Sequence, residues 1–309
     1  MNADKKFFSK IGLNYLILGI TALIFQIILI NILGTFNAKL LSNINILAIL
    51  SSICNYLLPL PIFIYLMRKI ESKTLQKEDI TPKKFIKYVA ISITLMWIGN
   101  MVGLLITTLL GGTINKEISN PVTELIGSSN ILINLLLISF IGPVFEELIF
   151  RKVLVDRTIK YGAKVSIILS ALIFAFVHGN LNQFFYAFLI GGFFAYVYIK
   201  TGKIIYSISM HIIINLMGSI VSLLVGRAVQ SLIHNSFNFA DFSIVLIYIL
   251  IVISCIIIGI LGLAGYKKAR FNGSKTEIYL KNPLKTVFLN YGMIAFILFF
   301  TGEIIYQII

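Results

Sequence analysis

Residues 131–151 read ILINLLLISFIGPVFEELIFR. No charge interrupts the run until Glu146-Glu147, and Arg151 follows four residues after Glu147. A helix crossing a ~30 Å hydrocarbon core takes about 20 residues, which is the length of this stretch. Eight other apolar blocks resemble it, at 11–33, 44–67, 88–110, 165–177, 184–199, 204–225, 242–266 and 287–308. The 309 residues are 58% hydrophobic and only 12% charged, with a mean hydropathy of +0.96. Soluble domains carry about 25% charged residues, so a water-soluble fold is excluded. No block shows the ~10-residue alternation of an outer-membrane barrel. The expected fold class is all-α, a polytopic transmembrane helical bundle of eight to nine helices.

The position of the charges explains the net +14 without nucleic acid. Only Lys39, Lys116 and Arg227 of the 26 Lys and Arg fall on one side of this arrangement. The other 23 fall before residue 11 and in 68–87, 151–164, 200–203 and 267–285. Basic short loops stay cytoplasmic, so the expected location is a cell membrane, multi-pass, with the N-terminus cytoplasmic and membrane lipid as a partner. The first block is longer than a signal-peptide core and no A-x-A-like site follows it, so it reads as a retained helix. Cys54 and Cys255 both lie inside apolar blocks, which excludes a disulfide framework. The expected organisation is three N-terminal spans over 1–130, a core over 131–222 and C-terminal helices over 223–309. No internal repeat of the kind that marks secondary transporters is visible.

Two carboxylates inside a span need partners, water or protonation, since a charge near a helix centre costs about 2.5–3.5 kcal/mol. Glu147 and Arg151 share a helix face with the acid N-terminal, the better order for an ion pair. Glu146, turned about 100° away, meets a different neighbour. Gly142-Pro143 is expected to bend the helix and free the carbonyl of Ser139. The plain structural alternative is an interfacial ion pair with a snorkelling arginine. Two further spans carry His178 and the one-turn pair His211 and Asn215, and packing histidines are the alternative there.

Depth weighs against packing. Glu146 and His178 lie about 23 and 24 Å from the turn at Tyr161-Gly162, at 1.5 Å per residue. His211 lies about 14 Å from Gly202, and it comes level if the first turn projects farther. Three helices then place two carboxylates, two imidazoles and an amide together. A carboxylate can act as general base, imidazole can share the proton work, and an amide can stabilise an oxyanion. Glu146, His178 and His211 also form an acceptable zinc ligand set with an open fourth position. No Ser or Cys sits in an equivalent setting, so water is the expected nucleophile. The H-E-x-x-H, G-x-S-x-G and G-x-G-D patterns of other intramembrane proteases are absent.

Glu146-Glu147-x-x-x-Arg151, Phe174-x-x-x-His178 and His211-x-x-x-Asn215, in this order on successive spans, resemble the three motifs of the CPBP family. These are CAAX proteases and bacteriocin-processing proteins, with the type II CAAX prenyl endopeptidases among their relatives. The resemblance covers about residues 131–222 and implies a bundle of roughly eight helices with its site opening toward the cytoplasm. It implies that Glu146 and His178 activate water, that His211 and Asn215 stabilise the oxyanion, and that Glu147 orients the site through Arg151. Metal dependence in the family is ambiguous, so a zinc ion stays open. The implied function is an intramembrane endopeptidase acting on a membrane-associated, hydrophobic or lipidated peptide or protein. The alternatives are a non-proteolytic membrane protein giving bacteriocin immunity or modulating a sensor, and a transporter with a proton relay.

Overall fold

The computed structural model describes residues 2–234, 237–265 and 278–309. Among these residues the chain is helical, with no strand. The spanning elements are α1 (Ala3–Ser42), α2 (Ile44–Arg68), α3 (Pro82–Ile114), α4 (Ile131–Tyr161), α5 (Ala163–Val177), α6 (Leu181–Thr201), α7 (Ile204–His234), α8 (Phe239–Gly265) and α9 (Tyr291–Ile308). Eight are long and apolar enough to cross a membrane, and α5 is the shorter one. The expected all-α polytopic bundle is thus observed. The last residue of the 242–266 block and residues 267–277 of the last basic stretch lie outside the described residues.

Local sequence explains the breaks. Thr81 caps α3 by accepting from the Lys84 amide, and Pro82 follows as its first residue, where a missing N–H costs nothing. Asn180 and Asn290 cap α6 and α9 in the same way. Gly202 ends α6 at φ +60° against the Gln76 backbone, a left-handed geometry with no room for a side chain.

Packing relies on small residues, as expected where lipid supplies no hydrophobic drive between helices. The α1 and α9 backbones meet through Gly12 and Gly292, and the Gly292 amide donates to Ser9 Oγ at 3.0 Å. Gly103 likewise lets α3 approach the carbonyl of Asn182 on α6. One large core cluster draws on all three expected stretches, from Phe8 and Tyr15 through Phe150 and Phe174 to Phe296 and Phe300.

The two ends of the bundle are marked by contacts between connections. At the N-terminal end Tyr161 bonds Asp4, the Lys73 amide bonds the Asp156 carbonyl, and the Glu78 amide bonds the Thr201 carbonyl. At the far end Lys116 Nζ reaches the Ile309 carbonyl at 2.7 Å, Asn180 bonds Asn120, and the Asn130 amide bonds Asn45.

Candidate active site

The centre of the site is α4, whose helix widens into π-helical turns at Asn134–Ile141 and Leu148–Val153, on either side of the glutamates. The Gly142 amide bonds the Leu137 carbonyl, five residues back. In that register Pro143, which has no N–H, leaves Ile138 without its helical donor. The expected orphan was Ser139; the wider turn moves it by one residue. Asn215 fills the gap, its Nδ2 donating to the Ile138 carbonyl at 2.9 Å.

Glu147 turns into the protein. Its Oε2 lies 3.2 Å from Arg151 Nε, and both side chains are fully buried. The snorkelling alternative is therefore excluded. The guanidinium makes this ion pair but no hydrogen bond among the described residues, and lies over the rings of Phe174 and Phe194, at 4.2 and 5.6 Å. Cation–π attraction of this kind is strongest when desolvated.

The other Glu147 oxygen faces His211 Nδ1 at 2.9 Å. Paired with arginine, Glu147 is an acceptor, so Nδ1 carries the proton. His211 Nε2 then faces Glu146 Oε2 at 3.4 Å. Arg151, Glu147, His211 and Glu146 thus form one continuous line. Their convergence brings the two carboxylates of α4 and the His211 imidazole of α7 to one depth.

Glu146 differs from its neighbour in being 16% exposed, facing a cavity of about 670 Å³ that His178, His211 and Asn215 also line. Glu147 and Arg151 stand behind that wall. His178 Nδ1 lies 2.7 Å from the Phe174 carbonyl. A carbonyl only accepts, so Nδ1 holds the proton and Nε2 keeps a lone pair. The Phe174 ring meets both imidazoles edge-on, with centroids 4.6 Å from His178 and 5.8 Å from His211.

Three wall residues escaped sequence reasoning. Tyr56 on α2 donates its hydroxyl to Glu146 Oε1 at 2.5 Å; its only signal was an Asn-Tyr pair in an apolar block. Tyr186 on α6 packs against His178 at 6.4 Å between centroids. Glu303, a lone acid in α9, lies beside Gly179 and has no hydrogen-bond or ion-pair partner among the described residues. Among the described residues no Lys or Arg lines the cavity.

The zinc expectation finds no support in this geometry. Among the described residues no three His, Cys, Asp or Glu side chains are arranged to hold a metal ion. Glu146, His178 and His211 share a wall without forming a ligand set, and no step below runs through a metal.

The cavity wall is not alike toward the two ends of the bundle. Toward the N-terminal end the cavity is closed by Tyr15, Phe150, Phe174, Phe194 and the Glu147–Arg151 pair, all buried. Toward the far end its wall climbs past Asn55 to Asn120, Thr123 and Gln307. His178 itself is only two residues from Asn180, which bonds Asn120 at that end. The cavity wall thus extends toward the end of the bundle opposite the N-terminus.

Residues 128–217 match the family described as Type II CAAX prenyl endopeptidase Rce1-like. No curated protein and no solved structure matches the chain. The matched stretch takes in all six site residues read from the motifs and leaves out Tyr56 and Glu303. Over residues 128–217 the chain is therefore similar to the Rce1-like type II CAAX prenyl endopeptidases, the likeness that the three motifs implied.

Proposed function

We propose that the protein is an intramembrane endopeptidase that hydrolyses peptide bonds in membrane-associated, hydrophobic or lipidated peptides or proteins. The observation that carries this reading is His211 held between two glutamates, with His178 and Asn215 on the same cavity wall.

Glu146 takes a proton from a water held between it and His178 Nε2. The hydroxide adds to the peptide carbonyl carbon, and the carbonyl oxygen becomes an oxyanion. The second amide hydrogen of Asn215 stabilises it, the first being spent on Ile138, while the protonated Glu146 donates to the lone pair that His211 keeps on Nε2. Collapse breaks the C–N bond, and the proton on Glu146 passes to the leaving amine, giving a carboxylic acid and an amine. Tyr56 occupies one Glu146 oxygen, and a carboxylate retains lone pairs enough for the water as well. The Arg151–Glu147 pair fixes the tautomer and orientation of His211, an indirect role of the kind second groups play in catalytic triads.

Comparative peptidomics of membranes and medium from cells carrying wild type or Glu146→Gln tests this reading. Fragments present with wild type should vanish with Glu146→Gln and with His178→Ala, each lowering turnover at least about 10²-fold. Identical fragment sets, with Glu146→Gln restoring a deletion phenotype, would move the assignment to a non-proteolytic partner protein.

A further inference from the structure

The two ends of the bundle differ in charge and in access to the cavity, and these differences oppose each other. The N-terminal end carries Lys5, Lys6, Lys10, the seven basic residues of 68–87 and those of 152–164 and 200–203. Among the described residues the far end has only Lys39, Lys116 and Arg227. Arg151 drops out of the tally because it is buried, and the bias survives without it. Lys and Arg in short loops hold their side in the cytoplasm, whatever the acids do.

The cavity runs the other way. Its floor is sealed by aromatic rings and the buried ion pair, and its wall reaches Thr123 and Gln307 at the end poor in basic residues. We infer that the site is loaded from the non-cytoplasmic side, so that its substrate is a polypeptide segment exposed there, on a translocated peptide or an outer juxtamembrane stretch. The word substrate rests on the proteolytic reading above; the side of access does not. The wall chemistry agrees with a chain-interior segment, because among the described residues no Lys or Arg lines it to neutralise a terminal carboxylate.

Single cysteines placed in a Cys54→Ser, Cys255→Ser background test this with a membrane-impermeant maleimide. Thr123→Cys and Gln307→Cys report the far end, Asn55→Cys the cavity wall, and Ser72→Cys and Thr74→Cys the N-terminal end. In right-side-out vesicles the first three should label at least tenfold faster than the last two, with the order reversed in inside-out vesicles. Detergent-permeabilised samples, in which all five label, confirm that each variant is present and reactive. Labelling of Ser72→Cys and Thr74→Cys from outside, or equal labelling of both ends, overturns the inference. So does an Asn55→Cys that follows Ser72→Cys. Either result leaves the Glu146→Gln peptidomics untouched, so the side of access and the chemistry fail separately.

Discussion

Replacing Arg151 with methionine is the sharpest test of how the site is held. The variant keeps a long apolar side chain but leaves Glu147, fully buried, without its guanidinium. Removing one partner of a buried pair costs about 3–5 kcal/mol, because the remaining charge stays desolvated. His211 still touches Glu147 at 2.9 Å and can take up part of that charge. Loss of the stacking over Phe174 acts in the opposite sense, since a desolvated cation–π contact is worth about 2 kcal/mol. The expected loss is therefore about 3–5 kcal/mol, against a typical total of about 5–15 kcal/mol. Denaturant unfolding of the purified protein in micelles measures it, alongside Glu147→Gln and the double variant. Once both charges are gone, the double variant should be at least about 2 kcal/mol more stable than the two single losses added together, the size of coupling expected for residues in one network. Simple additivity, or a single-variant loss below 1 kcal/mol, would refute the buried pair as the element that holds His211.

Tyr56→Phe removes the donor to Glu146 without removing the ring that stacks on Phe145. A hydrogen bond to a charged group is worth about 1.5–3 kcal/mol, so turnover should fall about ten- to a hundredfold while the unfolding midpoint stays near wild type. Gly191→Ala puts a methyl 2.8 Å from Phe174 Cδ1 and 3.5 Å from Arg151 Nη2. Phe174 is fully buried between the two imidazoles, so the variant should lose both stability and turnover, and wild-type values of both would contradict the packing. Outside the membrane, Lys203 first and then the Tyr206 hydroxyl hold the Asp79 carboxyl below its ordinary range. A depressed folded value means the tether contributes above the ordinary carboxylate range and is lost only as pH falls through the lowered one. Exchange of the Ile80 amide, which bonds Tyr206 at 3.4 Å, should stay slow until acid pH; loss of protection near neutrality would contradict it.

Much of this could be read from the chain because membrane helices leave few choices. Apolar blocks of about 20 residues have one stable form in lipid, and a charge among them stands out. Glu147 and Arg151 were legible as a pair because i,i+4 spacing on a helix fixes their proximity. Counting residues to a turn put Glu146 and His178 level, whereas His211 came out about 10 Å short. Three things were not legible. Tyr56 is 90 residues from Glu146, and no local pattern links them. The orphan carbonyl at Ile138 depends on a π turn, which moves the partner by one position and leaves no mark in composition. The direction of the cavity depends on which helix ends pack tightly, a property of side chains from α1, α4, α5 and α6 together.

The close meeting of Gly12 and Gly292 has a consequence for biogenesis. It docks α9, made after the other eight helices, against the first. That docking brings Phe300, Glu303 and Gln307 to the cavity wall. Glu146, His178 and His211 lie on helices that precede α9 in the chain, so the part of the wall that α9 adds is the last to be made. A helix that carries none of the motifs thus completes the chamber around the groups that do.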